Sequence, residues 1–290
     1  MKGRGANNFL LALTAFIWGS AFVAQSVGMD YLGPFTFNSV RSLMGGAVLI
    51  PVILLMRRIR RREAGKSTYG IAAGERAVSE AAAGQAEKRT LLIGGVCCGV
   101  ALAAGSSLQQ IGLMYTSAGK AGFITALYIV IVPVIGLALG KKAGAGVWIG
   151  VVLAVAGMYF LCIKDGFSIS RGDFYVLLCA LAFSVHILVI DYFAPKVDGV
   201  SMSCIQFFVC GILCAVPMLV SERPQIHQLL DAWLPLVYAG VLSSGAAYTL
   251  QVVAQKNTDP AVASLILSLE SVFSVITGWI VLGERLSGRE

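Results

Sequence analysis

The chain has 290 residues, 57% of them hydrophobic and only 13% charged, with a formal net charge of +7. A soluble domain of this length carries charges at about a quarter of its positions to solvate its surface, so a soluble globular protein is excluded. The basic excess has no aromatic-interleaved basic surface beside it, which argues against a nucleic-acid partner.

Spanning roughly 30 Å of hydrocarbon takes about 20 consecutive apolar residues as a helix. Nine runs qualify: Phe9–Gly28, Phe35–Met56, Leu91–Tyr115, Ala121–Gly140, Ala145–Ile163, Phe174–Tyr192, Met202–Val220, Trp233–Ala254 and Ala261–Leu282. They are too long and too unalternating for barrel strands. The first begins with Lys2 and Arg4, as a signal peptide does. No small-x-small cleavage site follows, and the run contains Trp18-Gly19-Ser20, so it is read as an uncleaved helix. The expected fold is an all-α polytopic transmembrane bundle.

Short polar or Gly/Pro-bearing turns separate the runs: Gly33-Pro34, Thr116–Lys120, Lys141–Gly144, Lys164–Gly172, Ala194–Gly199, Pro224–Asp231 and Asn257–Pro260. Turns this short make neighbouring helices antiparallel. Only the charged connection from Arg57 to Thr90 is long, and it is read as a cytoplasmic linker. With the N-terminus inside, 15 of the 22 Lys and Arg residues fall on the cytoplasmic side, including the run Arg57-Arg58-Ile59-Arg60-Arg61-Arg62. Six fall on the opposite side and Arg41 lies within a span. That bias predicts a cytoplasmic N-terminus.

The two halves repeat. Leu108-Gln109 and Thr116 match Leu250-Gln251 and Thr258 at an offset of 142, and Leu139-Gly140 matches Leu282-Gly283 one residue later. Upstream, Asn8-Phe9 falls on Asp173-Phe174 and Arg41 on Gln206, at an offset of 165. The expected units are residues 1–165, with the loop 57–90 inside them, and residues 172–290. Five spans in the first unit turn the second one over, giving an inverted 5+5 repeat with nine spans present. Inverted repeats are a recurrent plan of secondary transporters, with the site near mid-membrane between the halves. By the same logic the second unit lacks its fifth helix, and the chain is expected to be C-terminally truncated.

Several segments carry a resemblance. They are Ala15-Phe16-Ile17-Trp18-Gly19-Ser20, Asn38-Ser39-Val40-Arg41, Leu108-Gln109-Gln110-Ile111-Gly112-Leu113, Tyr115-Thr116-Ser117, Ala121-Gly122-Phe123-Ile124 and Val132-Pro133. The second half adds Tyr248-Thr249-Leu250-Gln251, Ala254-Gln255-Lys256 and Ser268-Leu269-Glu270-Ser271-Val272-Phe273, running on to Leu282-Gly283-Glu284. In order and spacing they resemble the ten-helix drug/metabolite transporter superfamily of the EamA type. The family often has Pro where this chain has Ser271. The resemblance implies a permease moving metabolites or drug-like solutes, frequently outward, across a prokaryotic inner membrane, and it names no solute.

The candidate site residues follow from the cost of polarity in lipid. An acidic residue at mid-span costs about 2.5–3.5 kcal/mol on insertion scales, so Glu270 must face protein or water. Two readings stand: a group that binds a proton or a cationic solute, and a protonated partner for another helix. Arg41 would bind a solute carboxylate or pair with Glu270, against a slightly favoured alternative in which it snorkels to the interface. Tyr248, Gln251 and Gln255 share one helix face and, with the repeat-related Gln109, suit the lining of a polar cavity; interhelical hydrogen bonding is the alternative. Trp18 is a candidate aromatic wall, and His186 ranks lowest.

Glycines four apart (Gly95/Gly99, Gly136/Gly140/Gly144, Gly146/Gly150) permit close helix crossing within one chain, with homodimerisation as the other reading. Seven cysteines lie in apolar runs without metal-ligand spacing, only two histidines exist, and there is no P-loop. No cofactor, metal or enzyme chemistry is expected. The partners expected are a small solute, the bilayer and protons as coupling ion. A non-transporting receptor or scaffold, and after it an intramembrane enzyme, are the competing classes.

Overall fold

Lipid offers no hydrogen bonds to a backbone, so long apolar segments must bond internally as helices. The computed structural model describes residues 2–67, 75–141, 144–162 and 170–284, and every regular element among them is helical. The first three spans are α1 (Lys2–Gly28), α2 (Pro34–Ser67) and α3 (Glu75–Leu113). The fourth is interrupted, α4 (Ala118–Thr125) then α5 (Tyr128–Ala138), and α6 (Ala145–Cys162) follows. The second half holds α7 (Arg171–Phe193) and α8 (Gly199–Pro217), with a π-helical turn at Met218–Glu222. Short α9 (Ile226–Asp231) leads into α10 (Trp233–Val237), a π-helical stretch Tyr238–Tyr248 and α11 (Thr249–Gln255). The last span is interrupted like the fourth, α12 (Pro260–Leu267) then α13 (Glu270–Thr277), and ends in a π-helical turn at Gly278–Leu282.

Eight of these continuous or interrupted helices are long and apolar enough to cross a bilayer. The fifth apolar run folds as α6, whose 18 residues reach about 27 Å at 1.5 Å per residue. Its side chains at 154–155 and 157–162, Cys162 among them, lie outside the described set, as do Lys142, Lys164, Arg285 and Arg289 of the orientation count. Two connections are themselves partly helical. Much of the segment from Arg57 to Thr90 is helical, because α2 runs on to Ser67 and α3 begins at Glu75. The turn expected at Pro224–Asp231 contains α9, closed by a capping box between Gln225 and Gln228.

The turn residues explain where the helices start. Ser117 caps α4, Ser170 and Asp173 form a capping box on α7, Asp198 caps α8, and Asp259 with Pro260 at the first turn starts α12. Each satisfies backbone N–H groups that a helix start leaves free. On the outer surface of the bundle large apolar side chains such as Val220, Leu153 and Ile212 stand exposed, the arrangement lipid contact requires.

Packing relates the halves. α3 lies against α7 and α8, as the Trp233–Gln255 span lies against α1 and α2; α2 meets α8, and α5 meets α12. Of the glycine pairs read from the sequence, Gly95 and Gly99 make a tight crossing. A Cβ on Gly99 would stand 2.6 Å from the Val209 Cβ and 2.8 Å from the Gln206 carbonyl oxygen of α8. Gly140, Gly144 and Gly146 face open space, and Gly136 nearly so. The six cysteines with described side chains are free, five of them buried.

Candidate functional site

The interruptions place the site. At Ala126-Leu127 and at Ser268-Leu269 the helix tightens into three-residue bonds, Leu127 N–H to the Ile124 carbonyl (3.1 Å) and Leu269 N–H to the Ile266 carbonyl (3.2 Å). These positions are 142 residues apart, the offset read from the sequence. Discontinuous spans of this kind form the mid-membrane sites of many transporters. The first residue after each interruption, Tyr128 and Glu270, lines one cavity between the halves.

The cavity measures about 30 Å³, room for roughly two waters. Of the candidates from sequence, Glu270, Arg41, Gln109, Tyr248, Gln251, Trp18 and His186 all line it. Gln255 does not. Its Nε2 donates to the Ile187 carbonyl at 2.7 Å and its Oε1 accepts from Gln251 Nε2 at 3.3 Å, so it joins helices and steadies Gln251 from behind.

Arg41 corrects the expectation that it snorkels. It is 4% exposed, donates from Nη1 to Gln25 Oε1 at 3.0 Å and stacks over the Phe37 ring at 5.7 Å. Its guanidinium cannot reach the interface because α1 encloses it through Gln25, itself held in place by Gln110 Nε2 bonding the Gln25 carbonyl at 3.0 Å. Nor does it pair with Glu270: among the described residues no ion pair joins them, although both face the same cavity. Glu270 is 3% exposed, and its Oε1 has no geometric hydrogen-bond partner among the described residues. The Tyr128 hydroxyl lies beside it and, among the described residues, also has no geometric hydrogen-bond partner.

The aromatic wall is built from Trp18 and Tyr248, with ring centroids 4.4 Å apart, and His186 meets Tyr248 edge-on at 5.9 Å. Trp18 is held by the π-helical stretch, whose Ser243 carbonyl accepts its indole N–H at 3.4 Å; Thr14 Oγ1 donates to the Ala247 carbonyl at 3.2 Å. π-Helical backbone recurs at functional sites. His186 Nε2 lies 3.0 Å from Gln206 Oε1, so it is hydrogen-bonded as a lone membrane histidine is expected to be.

Four pairs of lining residues are related by the repeat offsets. Trp18 corresponds to Phe183 and Phe22 to Ile187 at 165; Gln109 corresponds to Gln251 and Tyr128 to Glu270 at 142. Sequence reasoning used Gln109 and Gln251 but missed Tyr128, Phe22, Phe183, Thr125 and Ser243. The signal for Tyr128 was present, since the same offset carries it onto Glu270.

A multi-helix membrane bundle with a polar cavity enclosed between two related halves defines the class. The comparisons name it more closely: the EamA-like transporter family matches residues 6–163 and 170–290, and the chain belongs to that family, within the drug/metabolite transporter superfamily. An uncharacterized transporter of Archaeoglobus fulgidus is 30% identical over 281 residues, covering 96% of this chain and 78% of its relative. The uncharacterized transporter YoaV of Bacillus subtilis is 20% identical, covering 93% and 87%. A solved crystal structure superposes with a TM-score of 0.68 at 17% identity, over 99% of this chain and 91% of that one, a likeness of fold alone. The chain is a multi-pass membrane protein with a transporter role.

Proposed function

We propose that the chain is a secondary transporter in which a small solute and a proton compete for the Glu270 carboxyl in the cavity between two inverted halves, residues 1–165 and 172–290. The observation that carries this reading is the isolation of Glu270: a buried carboxyl with an unpartnered oxygen and, among the described residues, no cation paired with it. A carboxyl held this way binds a proton or a cationic group and not both at once, which is the condition for exchange. Seven of the residues singled out by sequence converge on that cavity. Its present size admits waters only, so the bundle must open to admit a solute, as alternating access of two repeats requires. The positive-inside bias puts the N-terminus in the cytoplasm, and the inner membrane of a prokaryote is the setting the two relatives suggest. An inward proton gradient then drives solute outward.

The test is flux in proteoliposomes of the full chain under an imposed pH gradient. Wild type should exchange solute for protons, and Glu270→Gln should abolish gradient-driven flux while the protein still elutes as a folded species. Unchanged proton-driven flux in that variant would show that the carboxyl does not couple transport.

A further inference from the structure

On one face of the bundle the helix starts of the first half are held by carboxylates of the second. Glu222 accepts from the Phe35 and Thr36 N–H groups of α2 at 2.9 and 2.6 Å, and Glu284 from the Ala118 and Gly119 N–H groups of α4 at 2.9 and 3.1 Å. The repeat offsets carry Thr36 onto Ser201 of α8 and Gly119 onto Ala261 of α12, whose N–H groups stand on the opposite face. There each is held by its own turn: Ser201 N–H donates to Asp198 at 3.0 Å and Ala261 N–H to Asp259 at 2.9 Å. The local residues decide the difference. Where the second half has Asp198 the first has Gly33, which brings no side chain, and a Cβ there would stand 2.3 Å from the Glu222 Cδ. Where the second half has Asp259 the first has Ser117, whose hydroxyl takes the Lys120 N–H and leaves Ala118 and Gly119 to Glu284.

The positions equivalent to the two glutamates complete the contrast. They are Arg57, at the offset of 165 from Glu222, and Lys141, at 143 from Glu284. A cation side chain offers only donors, so it cannot cap the N–H groups of a helix start. It can pair with the aspartate that does. Arg57 lines a cavity of about 270 Å³ together with Asp198 and Ser201, and Lys141 lines a cleft of about 10 Å³ with Asp259 and Ala261. The Lys141 ammonium now rests on Asp191 of α7. One face is thus closed by direct contact between the halves, while the other keeps a cavity at each equivalent place, with a cation and a carboxylate in its walls.

Resting on the reading of the chain as an alternating-access exchanger, we propose that its two mouths close by different chemistry. The mouth at Glu222 and Glu284 is latched by carboxylates of one half on helix starts of the other. The opposite mouth closes by ion pairs, Arg57 onto Asp198, and Lys141 leaving Asp191 for Asp259. Rocking of two halves that brings one face together parts the other, so the two sets of contacts form in turn. Weakening either set shifts the population toward opening at that face.

The reporter is Thr125→Cys in the wall of the central cavity, in the full chain with all seven native cysteines replaced and reconstituted in vesicles. A small impermeant maleimide is applied from one side or the other. Glu222→Gln combined with Glu284→Gln should raise labelling from the face of Glu222 by about tenfold, the worth of one hydrogen bond to a charged group. Arg57→Gln should raise labelling from the opposite face. Asp198→Asn should raise it equally, because asparagine still caps α8 but carries no charge. The two together should do no more than either alone, the mark of a pair acting as a unit; Lys141→Gln and Asp259→Asn should behave likewise. Additive effects, or none, overturn the ion pairs, and this arm stands even where the double glutamate variant does not fold. Unchanged labelling in a folded double variant overturns the carboxylate latch. Absence of labelling from both sides in every protein overturns the latches and alternating access together. The expected labelling with flux indifferent to Glu270 overturns the exchange reading and leaves the latches standing.

Discussion

Tyr128 and Glu270 each open the second segment of an interrupted span, 142 residues apart, and both face one cavity, each with an oxygen that has no geometric hydrogen-bond partner among the described residues. Among the described residues the Tyr128 hydroxyl has no geometric hydrogen-bond partner, so removing it forfeits little stability. Tyr128→Phe should therefore leave the melting temperature unchanged or raised. If the hydroxyl bonds the Glu270 carboxylate during exchange, the same variant slows exchange about tenfold, the worth of roughly one hydrogen bond. A fall in melting temperature with exchange intact would make the tyrosine a packing residue and nothing more.

Gly99 and Gly146 look alike in sequence, each four residues from another glycine, yet their surroundings differ. Gly99→Ala drives a methyl against Val209 and a backbone carbonyl of α8, while Gly146→Ala meets nothing within 4 Å. Overpacking of that kind costs about 1–3 kcal/mol. Thermal unfolding in detergent should show a clear loss for Gly99→Ala and none for Gly146→Ala. Equal stability of the two would mean α3 and α8 can separate freely.

Two carboxylates at the ends of second-half spans hold the starts of first-half helices. Glu222 accepts from the Phe35 N–H at 2.9 Å, the Thr36 N–H at 2.6 Å and the Thr36 hydroxyl at 2.6 Å. Glu284 accepts from the Ala118 and Gly119 N–H groups at 2.9 and 3.1 Å. Both carboxylates sit beside a left-handed residue, Arg223 with φ 46° and Gly283 with φ 67°. Loss of such a cap costs about 1 kcal/mol. Glu222→Ala should lower the melting temperature more than Glu284→Ala, because it forfeits one more bond. Identical curves for wild type and both variants would show that these contacts bear no stability.

The caps at Ser117, Ser170, Asp198 and Asp259 fall in the polar turns read between the runs, but only the structure identifies them as caps. The helices were legible because apolar length alone compels them in lipid. The interruptions were not. Proline usually marks a break, yet Pro133 lies inside α5, five residues past Tyr128, and the equivalent turn at Ser268-Leu269 forms without any proline. The π-helical stretch Tyr238–Tyr248 has no composition to announce it; packing reveals it, through Gly45 of α2 closing on Ser244. Buried polarity pointed to most of the cavity, because charges and amides are costly in lipid and must converge. It misplaced Gln255, since an amide that joins helices and one that lines a cavity carry the same signal. Arg41 was misjudged because sequence shows the length of a side chain but not the neighbour, Gln25, that confines it.

The proposed inversion of the halves would have a direct consequence for Ala6 and Arg171, equivalent positions at the offset of 165, each exposed near the start of its half. If the first unit holds five spans, these residues lie on opposite faces of the membrane although the repeat makes them equivalent. With all seven cysteines replaced, Ala6→Cys should react with an impermeant thiol reagent only from the cytoplasmic side, and Arg171→Cys only from the other. The clustered cations of the segment from Arg57 to Arg62 argue for that assignment rather than its mirror image, because such clusters resist translocation. Labelling of both positions from the same face would place the units in parallel. The pairing of Tyr128 with Glu270 would then relate residues at different depths, and the exchange site between inverted halves would lose its geometric basis.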